Sequence, residues 1–532
     1  MSSLRYDKLV GCVDQDHDGV GFIFSLIINI FVMFWPKLLE QGYICRFITP
    51  LLRAYPKNGG QVRDFASKFL FEDWLKQMGP AANKYRIDYI KGLGGHEPPE
   101  VKHMFKGGNF ESKIFTYISD KQTNDIYEQL FGEDSEPRKK ILTAPPNSIT
   151  KELELTQLQS RIITATDHAK YECEPHKREN LKRKLWHVVD GMNEVGRKIL
   201  SGSIKYFGKK PEKVKITILQ GAITKSQHYH YGNTSIEDAI FGKGFLAVGG
   251  VQLPILLPFG EFGSRAYGGS DHASSRYVST AINRKLVEAL FPPDDMQTLE
   301  YVYDDNTRVE PKFFVPILPT AVLESTEMPA EGWKIKVWAR DVFSVIRCVR
   351  AMILSWKPEY DNSDSKTHAN LKMLPLKPES RGFKGTFRSI RGKIHSVGTY
   401  TILEPQTATT GMKFAITEMP MRKWYSKYCE YLEGSKRFVT ILSRHNKVTQ
   451  RNTHQLIENI YCDTKCNDDR IWIEIHLCAP SPEFDPLAYL ESRNSAWMDG
   501  VEDYFELCDY MDNQLNYINV DDSVIECETY EE

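Results

Sequence analysis

Positions 9–13 form a short unbroken apolar run of the kind that fills a buried strand. A longer apolar run covers 20–35, and its pattern continues as a helix over 22–39 with Gly42 as a stop. Positions 44–55 read as another strand region, so strand, helix, strand predicts an α/β layer at the start of the chain. A parallel strand so near the first residue lacks neighbours upstream, so the chain is expected to begin inside a domain. The 20–35 run is shorter than the about 20 residues that cross a bilayer. Ser25 and Asn29 interrupt it, and acidic Asp14, Asp16 and Asp18 precede it, the wrong flank for a signal peptide. A helix packed on a sheet is expected, with no membrane partner.

Further along, a charged stretch at 133–140 and then Pro145 and Pro146 suggest a boundary. A basic helix is expected over 177–184, helix again over 190–200, and another basic stretch over 205–215. Glycines crowd 232–269, and 304–319 is turn-rich and then apolar. The pattern over 333–356 reads as helix, and alternation at 399–403 and 413–417 reads as strand. Helix period with many acids returns over 487–514, and 521–532 is acidic and ragged.

A length of 532 residues predicts three or four domains. With 41% hydrophobic and 26% charged residues, the chain is globular rather than disordered or collagen-like. A net charge of -2 means that any basic patch for nucleic acid must be local. Ten cysteines are scattered, only Cys462 and Cys466 lie close, and no second pair completes a zinc site, so reduced intracellular thiols are expected.

Three motifs carry candidate chemistry. Asp14, Asp16 and Asp18 alternate directly after the first strand, where α/β sheets place their sites, and carboxylates suit a hard cation such as Mg2+. A solvated acidic turn is the competing reading; a calcium loop fails because Ser25 stands where the twelfth-position glutamate belongs. Lys91 followed by Gly92, Gly94 and Gly95 offers a cation and a turn to phosphate, although taken alone a plain turn is the safer reading. The third run holds Gly260, Gly263, Arg265, Gly268, Gly269, Asp271, Arg276 and Tyr277, with glycines that let a backbone press against a polyanion and arginines able to clamp phosphate.

Together these residues resemble the type IIA DNA topoisomerases of eukaryotes and large DNA viruses, nearest the asfarvirus-like branch. The acidic motif at 14–19 looks like the metal motif of a Toprim fold, and 89–94 looks like the lysine-glycine motif near its end. Asp190-Gly191 and Arg197-Lys198 are similar to the opening of the winged-helix domain, and 259–277 to the region ending in the nucleophilic tyrosine. Phe291 to Asp295, Asp304-Asp305, Arg308 to Pro311 and Pro316 to Pro319 continue the likeness, and Phe383 to Thr386 and Ile416 to Pro420 resemble the tower. The resemblance implies an α/β plus α+β multidomain chain: a partial Toprim (Rossmann-like) domain over 1–145, a winged-helix domain over 146–345, a β-rich tower over 346–480 and the start of a coiled-coil arm over 481–532.

It also implies roles: Tyr277 as nucleophile, with Arg276 and His230 catalytic. Arg197, Lys198, Lys91 and Arg265 would touch the DNA backbone, Pro329 would stand near the family's intercalating isoleucine, and Asp14, Asp16 and Asp18 would hold Mg2+. The partners implied are double-stranded DNA, a second copy of the chain, and a separate chain carrying the ATPase and the first Toprim half, because family members carry those parts and a closing gate outside the stretch matched here. ATP would be used by the holoenzyme. The setting implied is intracellular, in host cytoplasm or nucleus if the protein is viral. Three departures stand out: Tyr231 replaces the second of two adjacent histidines, and Asn193 and Glu194 replace a lysine and a proline. A DNA-bending remnant that does not cut, and a hydrolytic Toprim nuclease or primase, are the alternative functions; the Arg276-Tyr277 context argues against the second.

Overall fold

The computed structural model describes residues 4–532 apart from 61, 66–67, 91–96, 107–108, 209–211, 305–306, 357–372, 446–447 and 463–465. The chain divides into two compact units, 1–184 with 329–333, and 185–328 with 334–532. The helix Glu174–Lys184 closes the first stretch, so that edge lies past the Pro145-Pro146 pair.

In the first unit, a four-stranded mixed sheet runs Leu9–Gly11, Ile44–Phe47, Ile114–Ile118, Ile162–Thr164. The outer pairs are parallel and the central pair antiparallel. The region read as one strand over 44–55 is two: Leu52–Pro56 pairs instead with Arg63–Phe65 and Tyr85–Tyr89 in a separate sheet. The expected helix begins earlier than position 22, as His17–Phe24 running into Ser25–Phe34, because the Asp16 carboxylate accepts from Gly19 N at 2.7 Å and caps it. After the short helix Pro36–Glu40, Gly42 turns the chain at φ +69°. Phe24, Ile28 and Phe31 pack with Ile44 and Tyr117 in the core, whereas Ile23, Ile30, Met33 and Phe34 on the same helix are exposed. By length and composition, His17–Phe34 is apolar enough to cross a membrane; 39% of it is buried in the fold.

In the second unit, the helices Glu194–Phe207, Ile216–Gln227 and Asn233–Gly242 surround Leu200, Ile223 and Phe241. Beside them lies an antiparallel sheet of Val214–Lys215, Ser279–Ile282 and Leu256–Phe259. The departure at Asn193 is an N-cap: its side chain accepts from Gly196 N. The pattern over 333–356 is only half helix. Trp333–Val337 is a strand, because Trp333, Ile335 and Val337 alternate with Lys334 and Lys336, and the helix is Val342–Ser355 behind an Asp341 cap. The expected β-rich region is a sheet of Thr399–Glu404, Lys413–Glu418, Ile473–Leu477 and Ile457–Tyr461 over Phe414, Ile475 and Phe505.

Three expectations fail here. No long arm spans 487–514 among the described residues: Pro486–Glu491 and Gly500–Tyr504 are single short helices, each restarted by its own aspartate cap, and Cys508–Tyr510 then joins Lys393–Val397 as a strand. The acidic end is ordered as well, since Val524–Cys527 pairs with Leu515–Ile518. The cysteines are not all reduced, because Cys429 and Cys462, 33 residues apart, form a disulfide.

Candidate functional site

Tyr277 sits at the end of the long glycine-rich connection between Leu256–Phe259 and Ser279–Ile282. Those strands are antiparallel neighbours, so the connection is a loop pinned at both ends. Gly263 lies at φ +96° with its α-carbon against Gly269, where any Cβ would overlap backbone, and Gly268 at φ +65° is pressed onto Trp424. Asp271 crosses the loop, accepting from Ser264 N at 2.8 Å and Ser264 Oγ at 2.6 Å. Burial opposes its charge, but these bonds outweigh that and hold its carboxyl below the usual range. Ser275 is buried and accepts from Thr217 Oγ1 at 3.0 Å, and Tyr277 N donates to Ser274 O at 2.9 Å. The tyrosine that follows is 71% exposed, with the Arg276 guanidinium 5.0 Å from its ring centroid. A phenol so presented, next to a cation, can reach a phosphorus atom outside the protein.

Three expected DNA contacts are core residues instead. Arg265 is 3% exposed and pairs with Glu418, whose other oxygen accepts from Lys384 N at 3.1 Å. Arg197 is buried and donates to Met192 O at 2.9 Å beside Asp190. Lys198 is buried and donates to Gln227 O at 2.9 Å and to Glu310 at 2.8 Å. A buried guanidinium or ammonium with its partners already in place has no donors to give a phosphate, so all three hold the fold together. Asp190, wholly buried, accepts from Met192 N and Phe314 N, both at 3.0 Å, and burial raises its carboxyl pKa. Lys91 lies outside the described residues, as does Asp305. Pro329 is exposed on the strand Thr326–Ala330.

His230 and Asp304 come together, with Nε2 to Oδ2 at 3.0 Å. A residue not singled out in the sequence joins them: His228 Nδ1 stands 3.3 Å from the same Oδ2. The signal for it was the His-x-His spacing. Tyr231 packs edge-on against Tyr229, 5.5 Å between ring centroids, on the hydrophobic core.

The acidic motif follows the first strand, as expected, but its three carboxylates do not act alike. Asp16 caps Gly19, and Asp18 is held by Arg183 through both oxygens at 3.2 Å with His176 Nδ1 at 3.4 Å. Among the described residues no three acidic, histidine or cysteine groups form a cation cage. Carboxylates suit a hard cation that keeps waters and takes phosphate oxygens, but Asp18 is occupied by a guanidinium.

Residues 183–472 match the DNA gyrase/topoisomerase IV family, and 47–170 match the C-terminal associated domain of TOPRIM. DNA topoisomerase 2 of African swine fever virus is 31% identical over 536 residues, all of this chain and 42% of that protein. DNA topoisomerase 2 of Arabidopsis thaliana is 32% identical over 440 residues, 82% of this chain and 28% of that protein. The Plasmodium falciparum topoisomerase II DNA-binding, cleavage and re-ligation domain has the same fold, with a TM-score of 0.74 at 23% identity over 99% of this chain and 64% of that one. The chain belongs to the type IIA DNA topoisomerases, and it spans 42% of the length of the viral relatives it matches.

Proposed function

We propose that this chain is the cleavage and re-ligation core of a type II DNA topoisomerase, working on double-stranded DNA as a homodimer within an ATP-hydrolysing holoenzyme. The observation that carries this is the exposed Tyr277 with Arg276 over its ring. The Tyr277 Oη attacks a backbone phosphorus, the bond from phosphorus to the 3′-oxygen breaks, and the phenolic proton is balanced by the one gained at the free 3′-hydroxyl. The 5′-phosphotyrosyl ester keeps the energy of the broken bond, so re-ligation is the reverse attack and consumes no ATP. Arg276 favours the phenolate and the charge that grows on phosphorus oxygens. His230, oriented by Asp304, attends the scissile phosphate. Asp14 and Asp16 would hold Mg2+, whose charge would offset that of the phosphate when it is bound.

Incubating the full chain with supercoiled plasmid and Mg2+, with and without the ATPase-bearing part of the holoenzyme, and quenching with denaturant tests this. Protein-linked linear DNA is expected in the complemented mixture. Plasmid that stays free of linked protein in both mixtures would leave a DNA-bending remnant as the better account.

A further inference from the structure

His228 has an unusual setting. It is the αL residue, φ +48°, that ends the helix Ile216–Gln227. Its Nδ1 faces Asp304 Oδ2 at 3.3 Å, and the same oxygen takes His230 Nε2 at 3.0 Å. One carboxylate oxygen therefore stands within ion-pair distance of two imidazoles, and His228 Nε2, across the ring from the Nδ1 that faces Asp304, points away from it. The His228 side chain is 23% exposed, so solvent and ligands reach the ring. The Asp304 carboxylate and the C-terminal end of a twelve-residue helix both lie against the ring.

Other charged groups on the same and adjoining elements have partners or are exposed. On the neighbouring helix, Lys198 donates to the carbonyl of Gln227 and is neutralised by Glu310. Lys225 on the same helix is exposed. On the hairpin that carries Asp304, Arg308 is exposed and lies over the Tyr301 ring, and Lys205 donates to its carbonyl at 3.4 Å. Thr217, on the His228 helix, also holds the Tyr277 loop through Ser275.

We propose that His228, held by Asp304, is a DNA-binding residue whose Nε2–H donates to a backbone phosphate oxygen. This rests on the function proposed above and adds a contact to it. Asp304 is the positioning residue.

The test is duplex binding by the full chain carrying Tyr277→Phe, so that no adduct forms, measured by fluorescence anisotropy at pH 6 over a salt series. His228→Asn keeps a residue that tolerates αL. It should weaken binding several-fold and lower the slope of log K against log salt by about 0.9, the share of one phosphate contact. His228→Lys should restore the slope. Asp304→Asn discriminates by sign: removing a negative charge near DNA would ordinarily tighten binding, whereas here it should weaken it several-fold. Unchanged far-UV circular dichroism certifies the variants as folded. Parent-like affinity and slope in His228→Asn, or tighter binding in Asp304→Asn, overturns this inference alone. A parent chain that does not bind duplex overturns the proposed function with it.

Discussion

Arg265 and Glu418, 153 residues apart in sequence, form an ion pair with both side chains buried. It fastens the start of the tyrosine-bearing loop to the strand Lys413–Glu418, and Asp468 Oδ1 accepts from Arg265 N at 2.7 Å beside it. The loop that presents Tyr277 is therefore rooted in the β-rich part of the same unit, not merely in its own hairpin.

Breaking that pair leaves a charge buried without its partner. Glu418→Gln and Arg265→Met should each destabilise the second unit by about 3–5 kcal/mol, with the double variant recovering part of the loss. Denaturant titration of the three variants checks this. Single variants within about 0.5 kcal/mol of the parent would show that Arg265 is not structural.

Gly263→Ala should disorganise the loop, since φ +96° and the adjoining Gly269 backbone leave no place for a Cβ. The expected cost is about 1–3 kcal/mol, concentrated in the loop. Faster amide exchange over 260–277, with the β-rich sheet unaffected, is the expected readout.

His187 carries a pH dependence. Its ring stacks on Phe313 at 4.6 Å, its Nδ1 accepts from Val189 N at 3.2 Å, and burial pulls its pKa down to about 4. The unfolded chain, with an ordinary imidazole, binds more protons between about pH 6.5 and 4. Stability should therefore be full above that window and fall as pH drops through it. His187→Phe should flatten the fall in melting temperature between pH 7 and 4; an unchanged profile would mean that the ring is protonated in the fold.

The disulfide between Cys429 and Cys462 predicts a thiol count. Of ten cysteines, eight should react with a thiol reagent in denaturant, and ten after reduction. Reduction should cost about 3–4 kcal/mol, from the 33-residue separation. Ten reactive thiols before reduction would contradict the pairing.

The first α/β layer was legible because its strands and helix are local, period-driven segments, and Gly42 stopped the helix where expected. The Tyr277 loop was legible because its glycines are spaced for a shape that other residues cannot take. What the sequence hid was partnership. Arg197, Lys198 and Arg265 read as surface cations because Asp190, Glu310 and Glu418, which neutralise them, lie 7, 112 and 153 residues away. Asp18 read as a metal ligand because Arg183, 165 residues on, gave no local sign. The arm expected over 487–514 misled because acidic residues with helix period also serve as caps: Asp485 and Asp499 start short helices rather than line a long one. His228 was missed because one histidine beside another carries no meaning until Asp304 reaches both.

The most direct measurement of the central claim is the identity of the residue joined to DNA. The full chain, complemented with the ATPase-bearing part of the holoenzyme, is incubated with duplex DNA and Mg2+, quenched with denaturant and digested, and the modified peptide is mapped. The adduct should be a 5′-phosphotyrosyl ester at Tyr277. Tyr277→Phe should abolish it while leaving duplex affinity within about two-fold, because one hydroxyl is lost and the phosphate contacts remain. An adduct on another tyrosine, or an undiminished adduct in Tyr277→Phe, would contradict the account.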